Sequence, residues 1–66
     1  MNNKIRVARA EVRMTQQQLA EAIGVSRQTI NAIESGKFVP STVLALKMAR
    51  VFDKNVEEIF QLDSED

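Results

Sequence analysis

The chain has 66 residues, nine basic against nine acidic side chains, and neither cysteine nor histidine. A domain of this length buries only about 60 % of its unfolded surface, and without thiols or imidazoles it has no disulfide, no zinc-finger ligation and no histidine base to offer. The longest unbroken apolar run, Val43 to Leu46, falls far below the roughly 18 residues of a membrane span, and the charge-punctuated start from Met1 to Arg13 is unlike a signal peptide. A soluble, cytoplasmic, single-domain protein with no cofactor, no membrane association and no small-molecule ligand domain is expected.

The zero net charge hides an asymmetry. From Met1 to Lys37 there are six basic residues (Lys4, Arg6, Arg9, Arg13, Arg27, Lys37) and three acidic ones (Glu11, Glu21, Glu34), whereas from Phe38 to Asp66 there are three basic (Lys47, Arg50, Lys54) and six acidic (Asp53, Glu57, Glu58, Asp63, Glu65, Asp66). A basic front half can meet a polyanion while the acidic end is held away.

In chain order, Lys4 to about Arg13 has helical spacing, with Ile5, Ala8 and Val12 on one face and Asn2 or Asn3 available as a cap. Arg6 and Arg13 fit either a solvated stripe or phosphate contacts. Thr15 followed by Gln18 is a capping box that opens a helix over about Gln16–Ile23, with Leu19, Ala20 and Ile23 inward and Gly24 suited to a left-handed stop. Val25 and then Ser26, a good N-cap, lead into a third helix that turns Ile30 and Ile33 inward and stops at Gly36.

Two short helices joined by a tight glycine-containing turn form a helix-turn-helix, here about 16–35, whose second helix can lie in the major groove of DNA. With Ile30 and Ile33 facing the core, Arg27, Gln28, Asn31, Ala32 and Ser35 are left outward. Arginine can fork onto guanine O6 and N7, glutamine or asparagine can do the same to adenine, and the methyl of Ala32 can touch a thymine methyl. Ser26 is placed for phosphate as well as for capping, Thr29 suits a phosphate or only completes the cap, and Gln16 opens its helix where free N–H groups favour an anion.

The run Thr-Gln-x-x-Leu-Ala-x-x-Ile-Gly-Val-Ser, then Arg-Gln-Thr-Ile-x-x-Ile-Glu-x-Gly-Lys and Pro-Ser, resembles the Cro/C1-type (XRE) helix-turn-helix repressors, most closely stand-alone regulators made of little more than this domain. The resemblance extends from about Ile5 to Phe60. It implies an all-α, lambda-repressor-like bundle of five helices that binds operator DNA as a dimer. It further implies that Arg9 pairs with Glu34, that Gln16 grips the DNA backbone and buttresses the recognition helix, that Arg27 and Gln28 sit at base-contacting positions, and that Lys37 meets phosphate from the following loop. Ala8 stands where the family usually has leucine, so the first helix is expected to bury less than in most relatives.

Phe38 and Val39 suit either DNA sugar and thymine methyl or the core, and core packing is the expectation. Ser41 caps a fourth helix, about Thr42 to Phe52, with more apolar positions than one stripe requires. Asn55 with Glu58 opens a last short helix carrying Val56, Ile59 and Phe60, and the acidic tail 61–66 is expected to fray. The apolar surplus suggests a homodimer interface around Leu46, Ile59, Phe60 and Leu62.

The leading expectation is a sequence-specific transcriptional regulator, a repressor binding a near-palindromic operator in double-stranded DNA. The alternative is an antitoxin-like or adaptor module whose main partner is another protein. Enzymatic activity is not expected: adjacent Glu57 and Glu58 point in different directions on a helix, poor geometry for a carboxylate pair.

Overall fold

The computed structural model describes all 66 residues. Five helices, α1 (Ile5–Glu11), α2 (Gln16–Ile23), α3 (Arg27–Glu34), α4 (Thr42–Phe52) and α5 (Val56–Ile59), are framed by two-residue strands β1 (Asn2–Asn3) and β2 (Phe60–Gln61). The strands pair antiparallel, Asn2 opposite Gln61 and Asn3 opposite Phe60. This small ladder was not legible in the sequence, where the segment after Ile59 reads as helix end and frayed tail. It brings the two ends of the chain together instead. The Met1 amine sits 3.1 Å from an Asp63 carboxylate oxygen and 2.9 Å from one of Asp66. Hydrogen bonds to Asp66 and then Asp63 raise the pKa of the amine, and Asp66 is held below its ordinary value by a backbone hydrogen bond from Asp63 and by the amine. The clasp is therefore complete between the carboxylate and amine ranges. It is lost at higher pH as the amine deprotonates and at low pH as Asp66 takes a proton.

The N-caps follow the sequence pattern. Thr15 Oγ1 accepts from the Gln18 N–H at 3.0 Å while Gln18 Oε1 accepts from the Thr15 N–H at 2.8 Å. Ser26 and Ser41 cap α3 and α4 by accepting from the N–H groups of Thr29 and Leu44, each at 3.2 Å. At α5 the Asn55 N–H donates to Glu58 Oε1 at 2.9 Å. The first helix differs. Its N-cap is Lys4, with no side-chain cap, and Asn3 contributes by accepting from the Ile5 N–H at 3.3 Å.

The helix ends share one device. After α1, α2, α3 and α4, an N–H reaches back five residues: Met14 to Arg9 O, Val25 to Ala20 O, Lys37 to Ala32 O and Lys54 to Ala49 O, at 2.9 to 3.0 Å. This six-to-one closure needs one left-handed residue. Gly24 and Gly36 supply it at φ 78° and 82°, but Arg13 and Asp53 supply it at 55° and 53° with a Cβ in place. Because Arg13 belongs to that turn, α1 ends at Glu11, two residues before the predicted Arg13, and Val12 is 48 % exposed instead of facing inward.

The core contains Ile5, Ala8, Leu19, Ala20, Ile23, Ile30, Ile33, Met48, Phe52, Ile59 and Phe60, with Met1, Met14, Val25 and Leu44 among those packed against it. Two expectations are corrected by this list. Ile59 is fully buried and Phe60 is 7 % exposed, so both hold the monomer together, and only Leu46 and Leu62 of the four residues expected at an interface are exposed. Phe60→Asp would therefore disrupt the fold. Phe38 and Val39, expected in the core, lie on the surface beyond the α3 closure. Lys37 and Phe38 both donate their N–H groups to Ala32 O, which ties the loop backbone to α3 and turns the side chains after it outward.

One ion pair bolts α1 to α3. Arg9 Nε donates to Glu34 Oε2 at 2.7 Å and Nη2 to Oε1 at 3.2 Å, a two-pronged arrangement, while Nη1 donates to Met14 O at 3.0 Å. The Glu34 side chain is only 2 % exposed. From the strand side, Asn3 Nδ2 donates to Ile33 O at 2.9 Å, so the last turn of α3 is held by both α1 and β1.

Two outcomes follow in chemical unfolding. Arg13→Gly relieves a left-handed residue and raises stability by about 0.5–1 kcal/mol, whereas Gly24→Ala, whose added Cβ meets nothing within 4 Å, lowers it by about 1 kcal/mol through the backbone alone. An unchanged midpoint for both would remove strain as the distinction between these turns. Arg9→Ala, which leaves a buried carboxylate without its main partner, costs about 3 kcal/mol, and a double-mutant cycle with Glu34→Ala shows coupling of about 1 kcal/mol or more. Additive effects would mean that the two groups do not support each other.

Candidate nucleic-acid interface

The helix-turn-helix is formed by α2, the turn Gly24-Val25-Ser26 and α3. Its inner side is apolar because Leu19, Ala20 and Ile23 of α2 meet Ile30 and Ile33 of α3 within one core. Gly24 lets the chain leave α2 in a left-handed turn, and Ser26 restarts the helix within three residues. The outer side is what these constraints leave over: Ser26, Arg27, Gln28 and Asn31 are exposed, and Thr29 and Ala32 are half-buried.

Gln17, Ser26, Arg27, Gln28 and Asn31 line a shallow polar depression of about 420 Å³ between the two helices. Gln17 was not singled out from the sequence, where it reads as a solvent-facing residue of α2. Its signal was its place in the first turn of α2 beside Gln16. Its side chain also donates to Glu21 Oε2 at 3.3 Å along α2. Thr29 Oγ1 and Ser26 Oγ lie 3.0 Å apart, so the two hydroxyls share one hydrogen bond at the start of α3.

Gln16 joins this face to the ion pair behind it. Its Nε2 lies 3.3 Å from Glu34 Oε1 and 3.4 Å from Asn31 Oδ1. Arg6 Nε stands 3.8 Å from the same Glu34 oxygen, with its side chain 82 % exposed. Glu34 thus collects donors from α1 and α2 while belonging to α3, and it sets the relative position of all three helices. This extent of the Glu34 cluster was not readable from the sequence, because helical spacing does not report which side chains meet across helices. Asn3, which anchors the other side of α3, gave no sequence signal beyond its capping chemistry.

The first-turn N–H groups of α2 at Gln16 and Gln17 have no intrahelical partner, and those of α3 begin at Arg27. Lys37 is exposed just past the Gly36 turn at the far end of α3. No group of three or more histidine, cysteine, aspartate or glutamate side chains is placed to hold a metal. No helix is long and apolar enough to cross a membrane.

Comparison with known proteins places this geometry. A family model described as Helix-turn-helix matches residues 5–59. The chain is 45 % identical over 65 residues to the uncharacterized HTH-type transcriptional regulator YgzD of Bacillus subtilis, covering 98 % of each. It is 52 % identical over 60 residues to an uncharacterized HTH-type transcriptional regulator of Methanocaldococcus jannaschii, covering 91 % of each. Among solved structures, the restriction-modification controller protein C.AhdI from Aeromonas hydrophila superposes with a TM-score of 0.77 at 30 % identity, covering 85 % of both chains. The clp gene regulator ClgR from Corynebacterium glutamicum gives a TM-score of 0.76 at 28 % identity, over 82 % of this chain and 57 % of its own. With its two capped helices, three-residue turn and polar outer face, the chain belongs to the XRE-type helix-turn-helix family of transcriptional regulators.

Proposed function

We propose that the protein is a repressor that binds a near-palindromic operator as a homodimer, with α3 in the major groove. The observation that carries this reading is the outer face of α3. It offers Arg27, Gln28 and Asn31 together on one exposed surface, locked from behind through Gln16 and Glu34. Arg27 and Gln28, at the start of the helix, read base edges, with Asn31 and Ala32 one turn deeper. Phosphates are held by the Ser26 and Thr29 end of α3, by Lys37, and by the α2 N-terminus at Gln16. The Gln16 side-chain nitrogen lies within reach of two protein acceptors, Glu34 Oε1 and Asn31 Oδ1, so its grip on the backbone of DNA is assigned to the peptide N–H.

The dimer surface is revised from the sequence expectation. Phe60 forms part of the floor of an apolar groove, about 280 Å³, bordered by Met1, Val39, Pro40, Ala45, Leu46 and Val56. Val43 and Leu46 of α4 and the 77 % exposed Leu62 of the segment after β2 are large apolar residues that a second copy can cover. Burial there adds the apolar area that so short a chain lacks. Two-fold pairing would set two α3 helices about one turn of DNA, roughly 34 Å, apart. The same groove is also what a heterologous protein partner would use under the adaptor reading.

Selection from a random DNA pool tests this function, followed by titration of the winner at fixed physiological salt. A near-palindromic winner bound about a thousandfold or more above scrambled DNA is expected. Enrichment of nothing, with weak salt-sensitive binding only, would contradict it and favour the partner-protein reading. Within the winning sequence, Arg27→Ala costs about 1–3 kcal/mol and relaxes one position per half-site, whereas Lys37→Ala weakens all sequences alike and reduces the salt slope by about one.

A further inference from the structure

We infer that Asn31 reads its base as a hydrogen-bond donor only, favouring guanine over adenine, because Glu34 dictates the direction of its amide through Gln16. This rests on α3 entering the major groove as proposed above, and it adds which base one of its residues selects.

The Glu34 side chain is 2 % exposed, and its carboxylate, paired with Arg9, accepts hydrogen bonds and donates none. Gln16 approaches its Oε1 at 3.3 Å, so the end of the amide that faces Glu34 must be the NH₂ group. The orientation of an amide is assigned from its partners, and an acceptor-only partner leaves one choice. That same Nε2 lies 3.4 Å from Asn31 Oδ1. One hydrogen of the Gln16 amide therefore meets Glu34 and the other meets Asn31. The carbonyl of Asn31 is engaged on the protein side, and its Nδ2 is left for the groove, beside Arg27 and Gln28 in the same depression.

An unrestrained asparagine favours adenine by using both ends of its amide, accepting from N6 and donating to N7. Asn31 turns its accepting end toward Gln16, so its NH₂ group is the end presented to a base. Guanine presents two acceptors, N7 and O6, and both suit an NH₂ group. Adenine offers it N7 alone and leaves the N6 amino group facing a donor. Arg9 and Gln16 thus both donate to Glu34, Gln16 donates also to Asn31, and the network links the α1–α3 ion pair to the base edge.

The test uses the full chain and a set of duplexes in which each base pair of the selected operator is varied singly. The position read by Asn31 is the one whose preference disappears in Asn31→Ala. There the unaltered protein is expected to prefer guanine over adenine by about tenfold. Gln16→Met, which keeps the length but removes the amide, frees Asn31 to turn over, and the preference falls to within about twofold or reverses to adenine. Gln16→Lys, which still donates toward Glu34 and Asn31, retains guanine and guards against a fold defect in the methionine variant. The inference is overturned if the unaltered protein prefers adenine at that position, if Gln16→Met leaves the preference unchanged, or if Asn31→Ala alters no position. In those cases intact selectivity at the position of Arg27 leaves the DNA-reading proposal standing. Failure of the unaltered protein to select any sequence removes both.

Discussion

A carboxylate buried in a 66-residue domain is a severe constraint, and here three helices are arranged around one. Glu34 sits in the last turn of α3 and meets the two-pronged guanidinium of Arg9 from α1 and the amide of Gln16 from α2. An ionised group so enclosed is tolerated only with such partners, and each donor can reach it from one direction. The helix that presents Arg27, Gln28 and Asn31 is consequently located against both neighbours by directional bonds as well as by the less specific packing of Ile30 and Ile33. Hydrophobic burial holds the bundle together. The Glu34 cluster determines how its outer face is aimed.

The same cluster explains why α1 stops where it does. Arg9 uses its side chain for Glu34 and for Met14 O, and its own carbonyl accepts from the Met14 N–H at 2.9 Å. The turn after α1 is thereby folded back over the arginine that makes the ion pair. A helix continued to Arg13 would carry Met14 away from these bonds. Arg13 accordingly adopts a left-handed conformation unusual for its residue type, which is a local cost offset by the bonds the turn makes.

Much of this fold was legible in the sequence because its signals are local. Thr15 with Gln18, Ser26 and Ser41 announce helix starts through the distance a side-chain oxygen can reach, and Gly24 and Gly36 announce stops through the absence of a Cβ. At Arg13 the closing residue carries a side chain and gives no stop signal, so the end of α1 was misplaced, although α4, closed by Asp53, ends at Phe52 as its apolar pattern suggested. The β1–β2 ladder and the terminal clasp were hidden because pairing between Asn2 and Gln61 depends on the closure of the whole chain. Phe60 and Ile59 looked available for a partner since a short terminal helix does not reveal which side of it the bundle covers. At the candidate interface, the outward set on α3 followed from placing Ile30 and Ile33 inward. The link from Glu34 through Gln16 to Asn31 crosses three helices and has no spacing signature.

The central claim is that one face, the start of α2 and the outer side of α3, meets DNA as a unit held by Glu34. Residue-resolved amide NMR during titration with a duplex carrying the selected operator tests it most directly. Shifts are expected to concentrate at Gln16 and Gln17, from Ser26 to Ala32, and at Lys37, with Val7 and the α1–α5 side left in place. Shifts centred on the groove around Val39 and Leu46, or on the cleft lined by Lys4, Val7 and Glu57, with α3 silent, would contradict it.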